Sequence, residues 1–310
     1  MPITKPNRIT RRHALRSTGQ AIVASGIAIG ASGNVFAAEP AEGIIPPEDY
    51  RATAKNVRQS VMAWCFKDVP TEKLIAACAK MGMVAMEGID KKYYPLMKQH
   101  GLGVAITGSH GFADGPVDPA NHASCKKKLI DGIDTAVKWN CPNVIAFTGM
   151  KAKGISDEQS TKNCVGFWKD ICKYAEQKNI NVVLEHLNSR DDSHMKGHPG
   201  YFGDDVDHCI DMIRKVDSPR MKLLFDVYHV QIMNGDVIRR FRQYKDYIAH
   251  VHTAGNPGRC EIDENQELNY PAIMRAIVET GYKGFVAQEF IPTWEDQLGA
   301  LRHAVRLCDV

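Results

Sequence analysis

The sequence predicts an α/β fold: a single-domain parallel (β/α)8 barrel, or TIM barrel, over residues 57–310. Three observations predict it. Short apolar runs alternate with helix-like patterns along the whole of that stretch. The runs number eight, the strand count of a closed barrel. The last four of them each carry an acidic or imidazole side chain near the carboxyl end, where such barrels build their sites. An open doubly wound sheet is the alternative, but no G-x-G-x-x-G follows a first strand and no phosphate-loop signature is present.

The candidate strands are 57–66, 83–89, 103–110, 143–150, 181–188, 221–229, 248–255 and 284–290. Between them, 121–139 places Leu129, Ile130, Ile133, Ala136 and Val137 on one helical face. Residues 205–216 repeat the pattern with Val206, Ile210 and Ile213, and 157–179 and 270–280 behave similarly. Asn269-Tyr-Pro271 suits a helix start with proline in the first turn. Gly101, Gly281 and Gly284 stand where helices hand over to strands.

The remaining chain is organised ahead of the barrel. Residues 1–37 read as a twin-arginine export signal: Thr10-Arg-Arg-His-Ala-Leu-Arg16, an apolar glycine-rich segment, then Val35-Phe-Ala37 as a small-residue cleavage site. This implies export to the periplasm, a mature start near Ala38 and no stable membrane insertion afterwards. Residues 38–56 form a polar, proline-rich lead. The signal holds Lys5, Arg8, Arg11, Arg12 and Arg16 without an acid, so residues 38–310 carry −2 of the formal +3 charge. That balance points away from nucleic acid and anionic membranes. There are nine cysteines without a CxxC pair; Cys78, Cys164, Cys172 and Cys209 fall in helix-like stretches, and the thiols are expected to be mostly free and buried. Homo-oligomerisation is left open.

The chemistry is concentrated in Glu185, Asp226, His252 and Glu289, at the ends of strands five to eight. A carboxylate at the end of a buried strand is costly unless paired or bound to a cation. Three carboxylates and one imidazole converging on a barrel mouth suit one divalent ion such as Mn, Mg, Co or Zn. His250 shares a strand face with His252 one layer deeper, as support. His229 is placed on the rim near substrate, and Arg259, on the loop leaving strand seven, reaches back over the mouth. His110, Glu87 and Trp64 end strands three, two and one and line the opposite wall for a small substrate. Asp191, Asp192, His194 and His198 read as a solvated lid after strand five.

The stretches VVLEHLNSRDD, LLFDVYHVQIMNGD and HVHTAGNPGRCEIDENQELNYPAIMRAIVETGYKGFVAQEF together resemble the hydroxypyruvate isomerase family, within the xylose-isomerase-like sugar isomerases and epimerases. The likeness runs from about Val57 to the carboxyl end and is densest over 181–292. It implies a divalent ion on Glu185, Asp226, His252 and Glu289, proton transfer by Glu185 and Glu289, and His229 and Arg259 beside a hydroxy-carbonyl or sugar substrate. One departure matters: isomerases of this family can carry glutamine where this chain has His252, whereas the epimerase branch carries histidine. The resemblance therefore implies a hydroxypyruvate isomerase-like enzyme, with a sugar 3-epimerase as the alternative. A metal-dependent hydrolase or lyase on the same barrel, and a binding protein without turnover, are the remaining readings.

Overall fold

Alternation of side chains along each strand decides what this barrel puts inside. The computed structural model describes Pro40 and residues 44–310; the expected export signal and expected cleavage site lie outside the described residues. In chain order the elements are β1 (Arg58–Val61), α1 (Thr71–Lys80), β2 (Ala85–Met86), α2 (Tyr94–Gln99), β3 (Gly103–Val104), α3 (His122–Trp139), β4 (Asn143–Ala146), α4 (Asp157–Lys178), β5 (Asn181–Glu185), α5 (Val206–Val216), β6 (Met221–Asp226), α6 (Val227–Met233), α7 (Val237–Tyr244), β7 (Ile248–Thr253), α8 (Tyr270–Glu279), β8 (Phe285–Gln288) and α9 (Gln297–Leu307). All ladder pairs are parallel, in the order β1-β8-β7-β6-β5-β4, with β2 paired to β3. Single bridges close the ring, Met62 to Glu87 between β1 and β2 and Thr107 to Val144 between β3 and β4.

Outward residues such as Val144, Val182, Leu184, Leu223, Phe225, Val251 and Val286 join one large core with the helices. Phe225 meets Phe241 of α7 edge to face at 5.4 Å. Each such side chain removed from water contributes roughly 1.5–3 kcal/mol. Inward residues form separate small clusters, Ile106, Ile145, Val183 and Leu224 in one and Ala85, Ala105 and Phe285 in another. Two residues further along the same inward faces stand Glu185, Asp226 and Glu87. The polar set thus sits directly on an apolar floor.

The helices start and stop for local reasons. Ser156 accepts from the Gln159 N–H at 3.2 Å to open α4, and Asp205 accepts from His208 N–H at 2.9 Å to open α5. Asn140, Asn179 and Asp217 close α3, α4 and α5 in the left-handed conformation. Gly101 and Gly281 also have positive φ, 76° and 79°, at the turns into β3 and β8. The proline-rich lead is not loose: the Thr53 and Ala54 N–H groups donate to Asp309 at 2.7 and 3.0 Å, and Arg302 Nε donates to Pro46 O at 3.3 Å. All nine cysteines are free and buried, as the sequence leads one to expect. No described helix is long and apolar enough to cross a membrane.

The expected lengths of four strands are corrected. Regular pairing in β2 and β3 covers two residues each, because the chain beyond them bonds only through single bridges. The first strand ends at Val61, and Ala63–Phe66 winds into a 3-10 turn that carries Trp64. The sixth strand ends at Asp226, because its side chain accepts the His229 N–H at 3.1 Å and begins α6.

Candidate metal and substrate site

The carboxyl ends of β5, β6, β7 and β8 bring Glu185, Asp226, His252 and Glu289 together. One donor atom from each lies within 4.8 Å of the others, and all four residues are buried. His252 is the hub. Its Nδ1 lies 3.1 Å from Glu185 Oε1 and 2.7 Å from Glu289 Oε2, and its Nε2 lies 2.8 Å from Glu87 Oε1. Glu185 and Glu289 converge on this one nitrogen.

The electrostatics follow from packing acids in a buried site. Burial, reinforced by Glu289, pushes the Asp226 carboxyl up to about 7. Burial also raises Glu185, with Glu289 adding to it. For Glu289 burial is outweighed by Arg259 and His252, which hold it at about 2. His252 is pushed well above the usual imidazole range: burial opposes its charge, but Glu289, Glu185 and Glu87 surround it.

Several expected residues sit differently from the sequence reading. Arg259 does reach the mouth; it is buried, with Nη2 2.7 Å from Glu289 Oε2 and Nη1 donating to Met195 O at 2.5 Å. Its guanidinium lies 5.5 Å from the Trp64 ring and 5.9 Å from the Tyr228 ring. Trp64 is half-buried and meets the site through Arg259. The loop is folded tightly to achieve this: a Cβ on Gly255 would stand 2.0 Å from Glu261 O.

His229 is not on a rim. It is fully buried in α6, and its Nδ1 accepts from the Asn188 N–H at 3.0 Å, with Asn188 Nδ2 at 2.7 Å. An Nδ1 that accepts leaves the proton on Nε2, which lies 3.7 Å from Asp226 Oδ2 and has no hydrogen-bond partner. Burial, with Arg259 nearby, holds this imidazole well below its usual range, so Nε2–H is a neutral donor. His110 is the complement: Nδ1 faces the Asp114 and Gly111 carbonyls at 3.0 and 3.2 Å, leaving a buried, unpartnered Nε2 as an acceptor. His110 lies in the loop beyond β3, not at the end of a strand.

Glu87 does not line a substrate wall. It is fully buried, and its oxygens are taken by His250, His252 and Ser60. Asp192 and His194 are exposed, as a solvated loop requires, whereas His198 is buried with its ring 4.1 Å from that of Phe112. Sequence reasoning passes over Asn188 and Glu261. Asn188 bonds His229 and also donates to Lys196 O at 2.7 Å. Its sequence signal is weak: an asparagine three residues past a candidate ligand.

The donor set fits a divalent ion. Oxygen donors dominate, one imidazole nitrogen joins them, and that imidazole gives its other N–H to a carboxylate, as metal-ligating histidines do. Glu185, Asp226, His252 and Glu289 would hold the ion.

Comparison with known proteins agrees with this architecture. The family model described as xylose isomerase-like TIM barrel matches residues 75–307. A putative hydroxypyruvate isomerase of Homo sapiens is 27% identical over 178 residues, 56% of this chain and 62% of that protein. The chain thus spans less than two thirds of that relative's length. A 2-oxo-tetronate isomerase of Pectobacterium atrosepticum is 24% identical over 256 residues, covering 77% of this chain and 94% of the relative. Among solved structures, a family 2 AP endonuclease from Brucella melitensis superposes with a TM-score of 0.66 at 23% identity, covering 78% of this chain and 95% of that one.

Proposed function

Because the chain belongs to the xylose isomerase-like TIM barrel family, we propose that it is a divalent-metal-dependent isomerase. Its substrate is a small hydroxy-carbonyl compound, and its reaction moves a proton between neighbouring carbons. One observation carries the reading: the donor atoms of Glu185, Asp226, His252 and Glu289 lie within 4.8 Å of one another at the carboxyl ends of the strands. A bound divalent ion supplies positive charge that polarises the substrate carbonyl and acidifies the adjacent C–H.

The chain's own residues do the rest. Each of Glu185 and Glu289 has one oxygen toward His252 and a second for proton transfer. One takes the proton from carbon to give an enediol; the other, entering as the acid, protonates the neighbouring carbon while the hydroxyl proton passes to the former carbonyl oxygen, and solvent resets the pair. His229 Nε2–H donates to a substrate oxygen. Arg259 is held by Glu289 and Met195 O. It closes the site and favours an oxygen-rich, anionic substrate. The names of the human and Pectobacterium relatives support this class. The imidazole at His252 supports a second reading, a sugar 3-epimerase, in which both carboxylates act on one carbon from opposite faces.

Turnover of hydroxypyruvate, small ketoses and aldoses in heavy water tests both. Solvent deuterium should enter the product carbon in wild type. Glu185→Gln and Glu289→Gln should each lower the rate by about 10²–10⁴-fold. Turnover without exchange overturns the proton-transfer mechanism. Exchange without change of carbonyl position selects the epimerase.

A further inference from the structure

Glu87, His250 and His252 form a second set of ligand-type residues inside the barrel, fully buried, with their donor atoms within 4.8 Å of one another. His252 belongs to both sets. Two roles are chemically open for the inner set: a second cation site, or a hydrogen-bonded support for the first.

The bonding inventory separates them. Glu87 Oε1 lies 2.8 Å from His252 Nε2 and 3.0 Å from His250 Nε2. Glu87 Oε2 lies 3.0 Å from His250 Nε2 and accepts from Ser60 Oγ at 3.2 Å. An ionised carboxylate only accepts, so the two imidazole nitrogens and the hydroxyl all donate. A nitrogen that gives N–H to Glu87 has no lone pair for a cation on that side. With Nε2–H of His252 committed inward, Nδ1 is the nitrogen left to face Glu185, Asp226 and Glu289. The Glu87–His252 bond also crosses the barrel interior, since β2 and β7 are not neighbours in the sheet.

We propose that Glu87 is a positioning residue that holds His252 with Nδ1 turned toward the three carboxylates, so that the barrel takes up one divalent ion and not two. The inference rests on the metal reading above. His250 and Ser60 fill the other acceptor positions of Glu87 and keep the carboxylate from rotating away.

The test measures metal binding in the absence of substrate. Metal-free wild type, Glu87→Gln and Glu87→Leu are titrated with Mn2+ by calorimetry, and with Co2+ while its visible absorption is followed. Wild type should bind one equivalent. Glu87→Leu keeps the volume but accepts nothing; it should bind about 10–100-fold more weakly, with a changed Co2+ spectrum. Glu87→Gln keeps an accepting oxygen; it should fall between the two and retain the wild-type spectrum. A residue that merely fills space would be replaced by leucine without a spectral change. If Glu87→Leu does not fold, Glu87→Gln decides alone, and wild-type affinity in it overturns the proposal. Two equivalents bound by wild type also overturn it. Wild type that takes up neither metal overturns the metal reading itself, whereas one equivalent with unchanged affinity in both variants removes only the role of Glu87.

Discussion

Arg259 Nη2 lies 2.7 Å from Glu289 Oε2, and both side chains are buried. A loop residue from the end of β7 is thereby ion-paired to a candidate ligand at the end of β8. The same guanidinium donates to Met195 O, so it ties the loop after β5 to the pair. One side chain links three of the loops that form the mouth.

Removing that link should cost stability as well as activity. Arg259→Ala leaves Glu289 with His252 as its remaining cationic partner and frees Met195 O. Breaking a buried pair by truncation typically costs about 3–5 kcal/mol, and the lower end is expected because His252 stays. Urea unfolding of the metal-free protein measures it. Arg259→Lys keeps the charge but not the fork, and should recover stability more than turnover.

Asp226 has two separable tasks. Its Oδ1 accepts the His229 N–H and caps α6, and it is one of the four convergent donors. Asp226→Ala should lose metal and about 1 kcal/mol of helix-cap stability. Asp226→Asn should keep the cap, and hence the melting temperature of the metal-free protein, while binding metal more weakly. Metal content and thermal unfolding read the two tasks independently.

Glu261 binds the two mouth loops to each other without touching the site. It is buried, Thr293 Oγ1 donates to it at 2.8 Å and the Trp294 N–H at 2.9 Å. Glu261→Ala strands the buried Trp294 N–H, worth about 1–3 kcal/mol, and frees the part-buried Thr293 hydroxyl. Amide exchange should speed up over 291–294 first, which hydrogen–deuterium exchange resolves by segment.

Asp207 gives a dependence on acid. Its carboxylate receives Arg240 and Tyr244 Oη and joins α5 to α7. Burial raises its pKa, but Arg240 and Tyr244 outweigh burial and the net shift is downward. A depressed carboxyl contributes stability above its unfolded pKa and loses it as pH falls through the folded value. The side chain is 45% exposed, so the effect is at most about 1 kcal/mol. Asp207→Asn should be less stable than wild type at pH 7, with the gap shrinking at pH 3 in denaturant titrations.

The sequence by itself determined the barrel and the four convergent donors. Both depend on local periodicity. A strand turns alternate residues inward, so Val183 and Glu185, Leu224 and Asp226, and His250 and His252 had to share faces whatever their neighbours were. Parallel strands with short connections then placed their carboxyl ends together. Only the tertiary structure decided what each polar group does there. His229 follows an apolar run that reads as more strand, yet Asp226 caps a helix and folds the imidazole inward onto Asn188. Glu87 reads as a residue of the wall. Its bond to His252, 165 residues away, exists only because the sheet closes into a ring. Such contacts leave no local trace: burial and closure fix them, and neither is a property of any short stretch of chain.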